Sequence, residues 1–297
     1  MPELPEVETI RRHLAPHVEG RVLTALDVRD GRWCRPLAGE EVAAAVAGRR
    51  IEALGRRGKY LIWELEDDVH LMLHLRMTGT LLLDPPTPPR HARVRFGLDD
   101  GRELIFDDPR RFGTGELALG GEARDAFFAT RLGVEPFGTA FTSAHLYALT
   151  RVSRAPIKAF LLDQRKVAGV GNIYADEALF RAGIHPLRPA GRLTRKQVAG
   201  LRDAVVASLE EGLAAKGASI DDFRHPDGVQ GSFQDRFLIH LREGEPCLVC
   251  DRPVRKLRAA GRGTYVCEKC QPRPRQVQAA AMRNSARRPA RSAAASS

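Results

Sequence analysis

The chain has 297 residues, of which 43% are hydrophobic. This length is too great for one small core and predicts two domains with smaller appendages. No stretch approaches the ~18 consecutive apolar residues of a membrane span, and no apolar secretory segment opens the chain. The sequence therefore excludes a protein with membrane-spanning helices, and we expect a cytoplasmic location.

Basic side chains outnumber acidic ones, with 47 Lys and Arg against 37 Asp and Glu and a formal net charge of +10. Such a surplus predicts a polyanionic partner. Six of the arginines lie in residues 273–297, so the first 272 residues carry only about +4. Only seven of the 47 basic residues are lysines. Each lysine is therefore a candidate for a role that needs a compact amine.

The N-terminal part of the sequence predicts two helices and a series of short strands. Residues 5–18 form the first helix, because Val7, Ile10 and Leu14 share one face, and Glu40–Ala47 forms the second. Turn signals rich in Gly, Pro and Asp separate the strands. The strands are Arg21–Val28, Ile51–Leu54, Tyr60–Leu65, Val69–Met77, Thr80–Leu83, Arg93–Phe96 and Glu103–Phe106. This pattern predicts an antiparallel β-sandwich or barrel with a leading helix over residues 1–132.

The pattern becomes helical after the Gly- and Pro-containing joint at residues 133–138. Thr194 is expected to cap a long helix that ends near Gly217, and the shorter helices are Ser143–Thr150, Ala155–Asp163 and Asn172–Arg181. We predict a helical domain over residues 133–241, a ribbon over 242–272 and a disordered basic tail over 273–297. The fold class is therefore α+β.

Four of the five cysteines have the spacing of a zinc ribbon. They form two Cys-x-x-Cys pairs that sixteen residues separate: Cys247, Cys250, Cys267 and Cys270. Disulfides are the alternative, but a chain without a secretory signal belongs in a reducing compartment. We therefore predict one Zn²⁺ ion with a structural role, since four thiolates leave no open position for water. Cys34 stands alone and is expected to be a buried apolar residue.

The first residues combine an amine with an acid. The small residue after Met1 favours removal of the methionine, which leaves Pro2 as a free secondary amine. An α-amino group has a pKa of about 7.7–8.0, so a useful fraction is neutral and nucleophilic at physiological pH. Glu3 is close enough to move the proton of whatever the amine attacks. This pair suits imine chemistry at a carbonyl-like carbon, whereas a frayed terminus is the alternative.

Several motifs in chain order resemble the formamidopyrimidine-DNA glycosylase family. The motifs are Pro2-Glu3-Leu4-Pro5-Glu6-Val7-Glu8-Thr9, Gly58-Lys59-Tyr60, His74-Leu75-Arg76-Met77-Thr78-Gly79, Asp108-Pro109-Arg110-Arg111-Phe112-Gly113, Gly171-Asn172-Ile173-Tyr174-Ala175-Asp176-Glu177 and the cysteine ribbon with Gly261-Arg262-Gly263-Thr264. Together they cover residues 2–271. The resemblance implies a helix–two-turn–helix motif in the helical domain.

The resemblance also implies an activity. Such an enzyme is a bifunctional DNA glycosylase and apurinic/apyrimidinic lyase that removes oxidised purines, such as 8-oxoguanine and formamidopyrimidines. The Pro2 nitrogen attacks C1′ of a flipped nucleotide, Glu3 protonates the sugar, and β- and δ-elimination follow. The implied partner is double-stranded DNA that contains oxidised bases or abasic sites. We expect no membrane partner and a monomer that associates with the nucleoid.

Two other functions remain open from the sequence. An endonuclease VIII-like enzyme would apply the same chemistry to oxidised pyrimidines, although that relative typically has Gly where this chain has Leu4. A non-catalytic, zinc-containing protein that binds damaged DNA would be expected to lose Pro2 or Glu3, and both are present.

The resemblance assigns roles to residues around the reacting nucleotide. Glu6 resembles a supporting carboxylate, although an acid at a helix start is equally common. Lys59 resembles a lysine that reaches the phosphate of the target nucleotide. His74 and Arg76 are candidates for phosphate contact, but strand alternation could equally place His74 against the core.

Further residues resemble the DNA-binding elements of the family. Met77, Arg110 and Phe112 resemble a wedge that fills the space of the extruded base and bonds the orphaned partner base. Asn172 and Glu177 lie in a Gly-flanked turn that leads into a helix, and N–H groups at such a helix start bind phosphate. Lys158 resembles a residue that faces a phosphate. Arg262 resembles an arginine at the tip of the zinc hairpin. An ordinary N-cap is the alternative role for Asn172.

Two departures from the family pattern concern the choice of lesion. Asp221 stands where the family usually has a basic residue, and His240-Leu241 replaces a common Tyr-Gly before the ribbon. We expect both to lie where the protein covers the extruded base, so the preferred lesion does not follow from the sequence.

Overall fold

A computed structural model describes residues 1–219 and 231–274. Its first helix, α1 (Leu4–Val18), contributes to two hydrophobic cores. Val7, Ile10 and Leu14 are buried in the core of the N-terminal domain, whereas Leu4 is buried in the core of the helical domain. The predicted helix is confirmed. Its first turn lies at the joint between the two domains, which places the N-terminal residues at that joint.

Eight antiparallel strands form the N-terminal domain, in the spatial order β5-β7-β6-β1-β2-β3-β4-β8. In chain order they are β1 (Val22–Val28), β2 (Arg49–Arg57), β3 (Tyr60–Leu65), β4 (Val69–His74), β5 (Thr80–Leu83), β6 (Ala92–Leu98), β7 (Glu103–Asp107) and β8 (Thr114–Leu119). The seven predicted strands are confirmed, and β8 was not predicted. Gly115 weakens the strand signal of β8. It is needed because a Cβ there would lie 2.2 Å from the Trp33 ring.

Aromatic side chains fill the space between the two layers of strands. The layers meet through a short β1–β2 pairing, in which Val22 pairs with Arg50 and Leu23 with Arg49. Trp63 on β3 stacks on Phe96 on β6, with ring centroids 5.0 Å apart. Contacts between aromatic rings on opposite layers, together with aliphatic burial, hold such a sandwich closed.

Strand β4 ends three residues earlier than predicted. Arg76 has a φ of +54°, a left-handed conformation that a strand residue cannot adopt. The chain therefore turns away from the sheet after His74 and carries Met77 into a loop.

Seven α-helices are present in the part of the chain that the structure describes. After α1 they are α2 (Gly39–Val46), α3 (Gly121–Ala129), α4 (Ser143–Arg151), α5 (Ile157–Leu162), α6 (Asn172–Arg181) and α7 (Arg195–Ala214). The sequence predicted all of these helices except α3. The two glycines at its start, Gly120 and Gly121, are typical of a turn. Thr194 caps α7 as predicted, because its hydroxyl accepts a hydrogen bond from the Gln197 N–H at 3.2 Å.

A two-stranded hairpin, β9 (Arg255–Ala259) and β10 (Arg262–Val266), lies between the two cysteine pairs. Ala260 and Gly261 form its turn, and both have positive φ. Two such residues suit the right-handed twist of a tight hairpin. Arg262 therefore begins the second strand directly beside the tip.

Among residues 1–219 and 231–274, no helix combines the length and the apolar character needed to cross a bilayer. The predicted tail falls almost wholly within residues 275–297, which lie outside the described residues.

Replacing Trp63 by Ala tests the packing of the sandwich. Trp63 is fully buried against Phe96, so we expect the free energy of unfolding to fall by about 3–5 kcal/mol in urea titrations. Leu119→Ala is the control, because Leu119 is 64% exposed and its loss should change stability by less than ~0.5 kcal/mol. Equal effects of the two substitutions would contradict this packing.

Candidate active site and nucleic-acid interface

Glu6 joins three segments of the chain at the domain joint. One of its carboxylate oxygens accepts hydrogen bonds from the Tyr174 hydroxyl and the Ala218 N–H, both at 2.8 Å, and the other accepts from the Glu3 N–H at 2.8 Å. Burial, followed by repulsion from Glu3, raises the pKa of Glu6. Glu6 is therefore a helix-start acid, as one sequence interpretation held, and it also holds α1 against the helical domain.

Glu3 lies against the start of α6 with one oxygen bonded and one free. Its Oε1 accepts a hydrogen bond from the Ile173 N–H at 2.9 Å. Its Oε2 is buried and has no hydrogen-bond partner among the residues that the structure describes. Gly171 permits this approach, since a Cβ there would lie 2.3 Å from the Glu3 carboxyl carbon. One bonded oxygen fixes the carboxyl group, and the other remains available to a bound molecule.

Lys59 occupies the predicted turn, between β2 and β3, and its side chain points inward. The residue is only 3% exposed. Burial lowers the pKa of Lys59, whereas Glu3 and Glu6 oppose that shift and Arg262 adds to it. These four residues come from α1 and the residue before it, the β2–β3 turn and the zinc hairpin. The fold therefore brings both acids, the lysine and the hairpin arginine into one electrostatic site.

A cavity of about 340 Å³ adjoins this site, and its lining includes Lys59, Tyr60, His74 and Arg76. Burial, followed by the charges of Arg76 and Lys59, lowers the pKa of His74 to about 3. The His74 Nδ1 accepts a hydrogen bond from the Arg76 N–H at 2.9 Å. The neutral ring therefore carries its proton on Nε2, which can act as a donor. His74 is thus buried beneath the strand surface, and it also lines the cavity.

The three predicted wedge residues lie in exposed loops. Met77 is 40% exposed and Phe112 is 51% exposed, although both types are usually buried. Arg110 stacks over the Phe112 ring, with its guanidinium carbon 4.8 Å from the ring centroid. The structure therefore presents two apolar side chains and one cation to solvent at neighbouring loop tips.

The position of Lys158 corrects a prediction. Its side chain is fully buried, so its ammonium does not face outward to a phosphate. Instead it pairs with Asp176 at 2.7 Å and donates to the Thr264 hydroxyl at 2.7 Å. Burial lowers the pKa of Lys158, and Asp176 opposes that shift. A buried ammonium needs such partners, so Lys158 ties the helical domain to the zinc hairpin.

Asn172 supports the same hairpin. It is the first residue of α6, and Gly171 occupies the N-cap position, so an ordinary N-cap role for Asn172 is wrong. The Asn172 amide donates a hydrogen bond to the Gly263 carbonyl at 3.2 Å. Arg262, next to Gly263, is exposed. Lys158 and Asn172 therefore hold the backbone that presents Arg262.

Glu177 lies within α6 and not in the turn before it. Its buried carboxylate accepts hydrogen bonds from the backbone N–H groups of Leu238, Ile239 and His240 at 2.9–3.0 Å. Burial raises the pKa of Glu177, although these hydrogen bonds oppose the shift. The residue fixes the segment that leads to the zinc hairpin.

The unusual pair His240-Leu241 follows this segment. His240 is buried, with its Nδ1 2.8 Å from Asp176 and its ring packed against Tyr265. We expected this pair to cover the extruded base, but the buried imidazole belongs to the support of the hairpin. Leu241 is half-exposed and has a φ of +60°, a conformation that favours glycine. Asp221 lies outside the described residues.

The four ribbon cysteines converge on one point. Their Sγ atoms all lie within 4.8 Å of one another, and Cys247–Cys270 and Cys250–Cys267 are 3.9 and 3.4 Å apart. Tetrahedral Zn²⁺ with bonds of about 2.3 Å needs sulfur separations of about 3.8 Å. The cluster suits one structural zinc ion, and the prediction of a zinc ribbon is confirmed.

Sequence reasoning missed two residues that organise the site. Tyr174 is buried, and burial followed by the charge of Glu6 raises its pKa well above the ordinary value, so it remains a hydrogen-bond donor. Asp108 is also buried and binds the backbone of the Arg110–Gly113 loop. Both lie within motifs that resemble the family. The motif gave the position of each, but only the fold shows what each contacts.

The described residues form an N-terminal β-sandwich, a helical domain and a zinc hairpin, which meet around Glu3, Glu6, Lys59 and Arg262. Family models match in three segments: the formamidopyrimidine-DNA glycosylase N-terminal domain over residues 1–115, the corresponding H2TH domain over 132–224, and a zinc finger found in FPG and IleRS over 244–273. The chain belongs to the formamidopyrimidine-DNA glycosylase family. The resemblance is thereby confirmed, and membership of an enzyme family disfavours the non-catalytic alternative.

Individual relatives agree with this assignment. A formamidopyrimidine-DNA glycosylase from Chloroflexus aggregans is 46% identical over 282 residues, covering 91% of this chain and 98% of the relative. The crystal structure of MutM (Fpg) from Thermus thermophilus superposes with a TM-score of 0.84 at 44% identity, covering 92% of this chain and 100% of that chain. A mutant FPG from Lactococcus lactis, in complex with DNA containing Fapy-dG, superposes with a TM-score of 0.86 at 34% identity and the same coverage.

Replacing Lys59 by Met tests the cost of burying its charge. The folded pKa of Lys59 lies below 10.5, so the cost is fully present below the folded pKa and is relieved as the pH rises toward 10.5. We therefore expect Lys59→Met to raise the free energy of unfolding at pH 7, and by less at pH 10. Urea titrations of the variant, of the wild type and of Lys196→Met, which removes an exposed lysine, measure this. A gain that does not change with pH would contradict the explanation.

Replacing Cys250 by Ser tests the zinc hairpin. The variant should lose zinc, as measured by elemental mass spectrometry, because a hydroxyl is a poor replacement for a thiolate ligand. Its Kd for a duplex with an abasic-site analogue should rise about tenfold or more, since Arg262 would lose its support. Cys34→Ala is the control and should keep both zinc and affinity. An unchanged Kd in zinc-free Cys250→Ser would contradict the role of the hairpin.

Proposed function

We propose that the protein is a bifunctional DNA glycosylase and abasic-site lyase that removes oxidised purines from double-stranded DNA. One observation carries the proposal. The carboxyl group of Glu3, near the N-terminus of the chain, is buried with only one of its two oxygens hydrogen-bonded, and it lies in the same electrostatic site as Glu6, Lys59 and Arg262. An amine nucleophile with an acid beside it is the equipment that imine chemistry requires. The protein would act on chromosomal DNA in the cytoplasm, in association with the nucleoid.

The mechanism begins with the Pro2 nitrogen, once Met1 has been removed. Its lone pair attacks C1′ of the extruded nucleotide, and the glycosidic bond breaks with its electron pair leaving on the damaged base. Glu3 Oε2 takes the proton that the Pro2 nitrogen loses after attack and passes it to the ring oxygen, while the departed base takes a proton from water. The C1′–O4′ bond then opens and a Pro2 iminium ion forms. The iminium acidifies the C2′–H bond. Loss of that proton expels the 3′ phosphate, a second elimination expels the 5′ phosphate, and water then releases Pro2.

The surrounding residues would hold the DNA backbone during these steps. Lys59 and the Nε2–H of His74 face a common cavity, and both can donate to one phosphate group. Arg76, at the rim, and Arg262, on the zinc hairpin, add exposed positive charge. The hydrogen bond of Asn172 to Gly263 holds that hairpin.

The exposed loops supply the wedge. Extruding a nucleotide costs a few kcal/mol of stacking and pairing energy. Met77 and Phe112 would fill the vacated space with apolar surface, and Arg110 would bond the partner base left in the duplex. Their exposure supports this role, because side chains buried in the protein could not enter DNA.

Oxidised pyrimidines are the second candidate substrates. A Lactococcus lactis Fpg structure contains DNA with an oxidised pyrimidine, at a TM-score of 0.84 and 34% identity. Fapy-dG appears in several complexes of the same relative, which favours purines as the main class.

Borohydride trapping tests the function, because it reduces an imine between protein and DNA to a stable bond. Duplexes with 8-oxoguanine, formamidopyrimidine or thymine glycol are compared by their trapping rates. We expect the two purine lesions to be trapped at least tenfold faster than thymine glycol. The reverse order would support the pyrimidine alternative, and the absence of any adduct would refute the proposed chemistry.

Replacing Pro2 by Leu tests the identity of the nucleophile. A bulky second residue prevents removal of Met1, so no amine remains at position 2, and we expect trapping to fall by at least 100-fold. Pro16→Ala, which replaces an exposed proline at the other end of α1, should trap like the wild type. Mass spectrometry of digested adduct identifies the attached residue. Attachment to Lys59, whose lowered pKa also makes it a nucleophile, would overturn the assignment to Pro2.

A further inference from the structure

Asp108 links the two wedge loops to each other. The residue is 1% exposed, and its carboxylate lies between the loop of Met77 and the loop of Arg110–Gly113. From the first loop, the Thr78 hydroxyl donates to Oδ1 at 2.6 Å. From the second, the N–H groups of Phe112 and Gly113 donate to Oδ2 at 2.8 Å, and that of Arg110 donates to Oδ1 at 3.2 Å. One buried carboxylate therefore accepts hydrogen bonds from both loops.

The two loops also rest on one aromatic ring. A Cβ at Gly79 would lie 2.8 Å from the Phe106 ring, and a Cβ at Gly113 would lie 2.3 Å from it. Both glycines are therefore needed for the close approach of their loops to Phe106. Because Phe106 is fully buried in the sandwich core, each loop has a rigid base.

The backbone of Asp108 is itself fixed. Its N–H donates to the His91 carbonyl at 3.1 Å, and its carbonyl accepts from the Arg93 guanidinium at 2.9 Å. Both partners lie at or beside the start of β6. The carboxylate is therefore a fixed point of the sheet, to which the loops are bound.

We propose that Asp108 is a positioning residue that fixes Met77 and the Arg110–Phe112 pair as one rigid wedge. The proposal rests on the wedge role given under the proposed function. The Thr78 hydroxyl, next to Met77 in the chain, joins the first loop to this carboxylate, so the coupling depends on that hydroxyl.

The coupling has a physical benefit for base extrusion. Exposed Met and Arg side chains lose rotamer freedom when they enter a duplex, and mobile loops would add a backbone cost. Loops that are ordered beforehand avoid that second cost at the moment of insertion. Hydrogen bonds to a charged acceptor are among the stronger ones, and this carboxylate is shielded from water.

Substitutions at Thr78 test the coupling. Thr78→Val removes the hydroxyl at nearly constant shape, and Thr78→Ser retains it. Asp108→Asn weakens the shared acceptor, and Asp107→Asn is a matched control at the adjacent residue, whose carboxylate accepts from the backbone N–H of His91 at 2.8 Å. If Asp108→Asn fails to fold, the Thr78 pair still decides the question.

Two measurements distinguish wedge function from general damage. Stopped-flow fluorescence of 2-aminopurine, placed opposite a tetrahydrofuran abasic-site analogue in a duplex, reports insertion. Borohydride trapping rates on an abasic site are compared between duplex and single-stranded DNA, because the single strand has no base pair to replace. The ratio of the two rates isolates the wedge from the chemistry.

We expect Thr78→Val to slow the fluorescence change about tenfold and to lower the duplex-to-single-strand ratio by a similar factor. Thr78→Ser and Asp107→Asn should stay within about twofold of the wild type. A Thr78→Val protein that inserts like the wild type, or a Thr78→Ser protein as slow as Thr78→Val, would overturn the coupling. A wild-type protein that traps DNA without any fluorescence change would refute the wedge itself, and one that traps no DNA would refute the proposed function.

Discussion

Burial of opposite charges at the domain joint is the constraint on which the site depends. Glu3, Glu6 and Lys59 are almost removed from water, yet the carboxylates are stabilised mainly by backbone N–H groups and by the Tyr174 hydroxyl. Leaving buried charges without such partners would cost several kcal/mol. Neither domain supplies all of the partners. The two domains must therefore be in contact at this joint for Glu3 and Glu6 to have their hydrogen-bond partners.

The zinc hairpin extends this arrangement to the other side of the site. Lys158 and Asp176 form a buried pair that reaches Thr264, and His240 completes the contact from the preceding segment. Arg262 is thereby held near enough to Lys59 to lower its pKa. The metal does not react. It keeps a short hairpin in a defined shape.

The sequence predicted the element order, the zinc ligands and the family, because hydrophobic periodicity, turn residues and cysteine spacing are local signals. It did not reveal what each polar group contacts. Lys158 was expected to face a phosphate because it resembles a residue of the family, and only the packing of α5, α6 and the hairpin shows its burial. Strand β8 was missed because Gly115 weakens its strand signal. The reason for a glycine there is the ring of Trp33, which is far away in the sequence. Asp108 and Tyr174 lie within predicted motifs, but their partners are set by tertiary structure.

Helix α1 serves two cores at once, and this limits how the protein can be divided. A fragment that ended after the sandwich would expose Leu4 and remove the Tyr174 and Ala218 partners of Glu6, whereas a fragment without α1 and the sandwich would lack Glu3 and Glu6 altogether. Exchange of domains between relatives would therefore have to preserve the contacts of α1 with Tyr174 and Ala218. The contacts at the joint between the domains must therefore be kept together, and neither domain can be exchanged by itself.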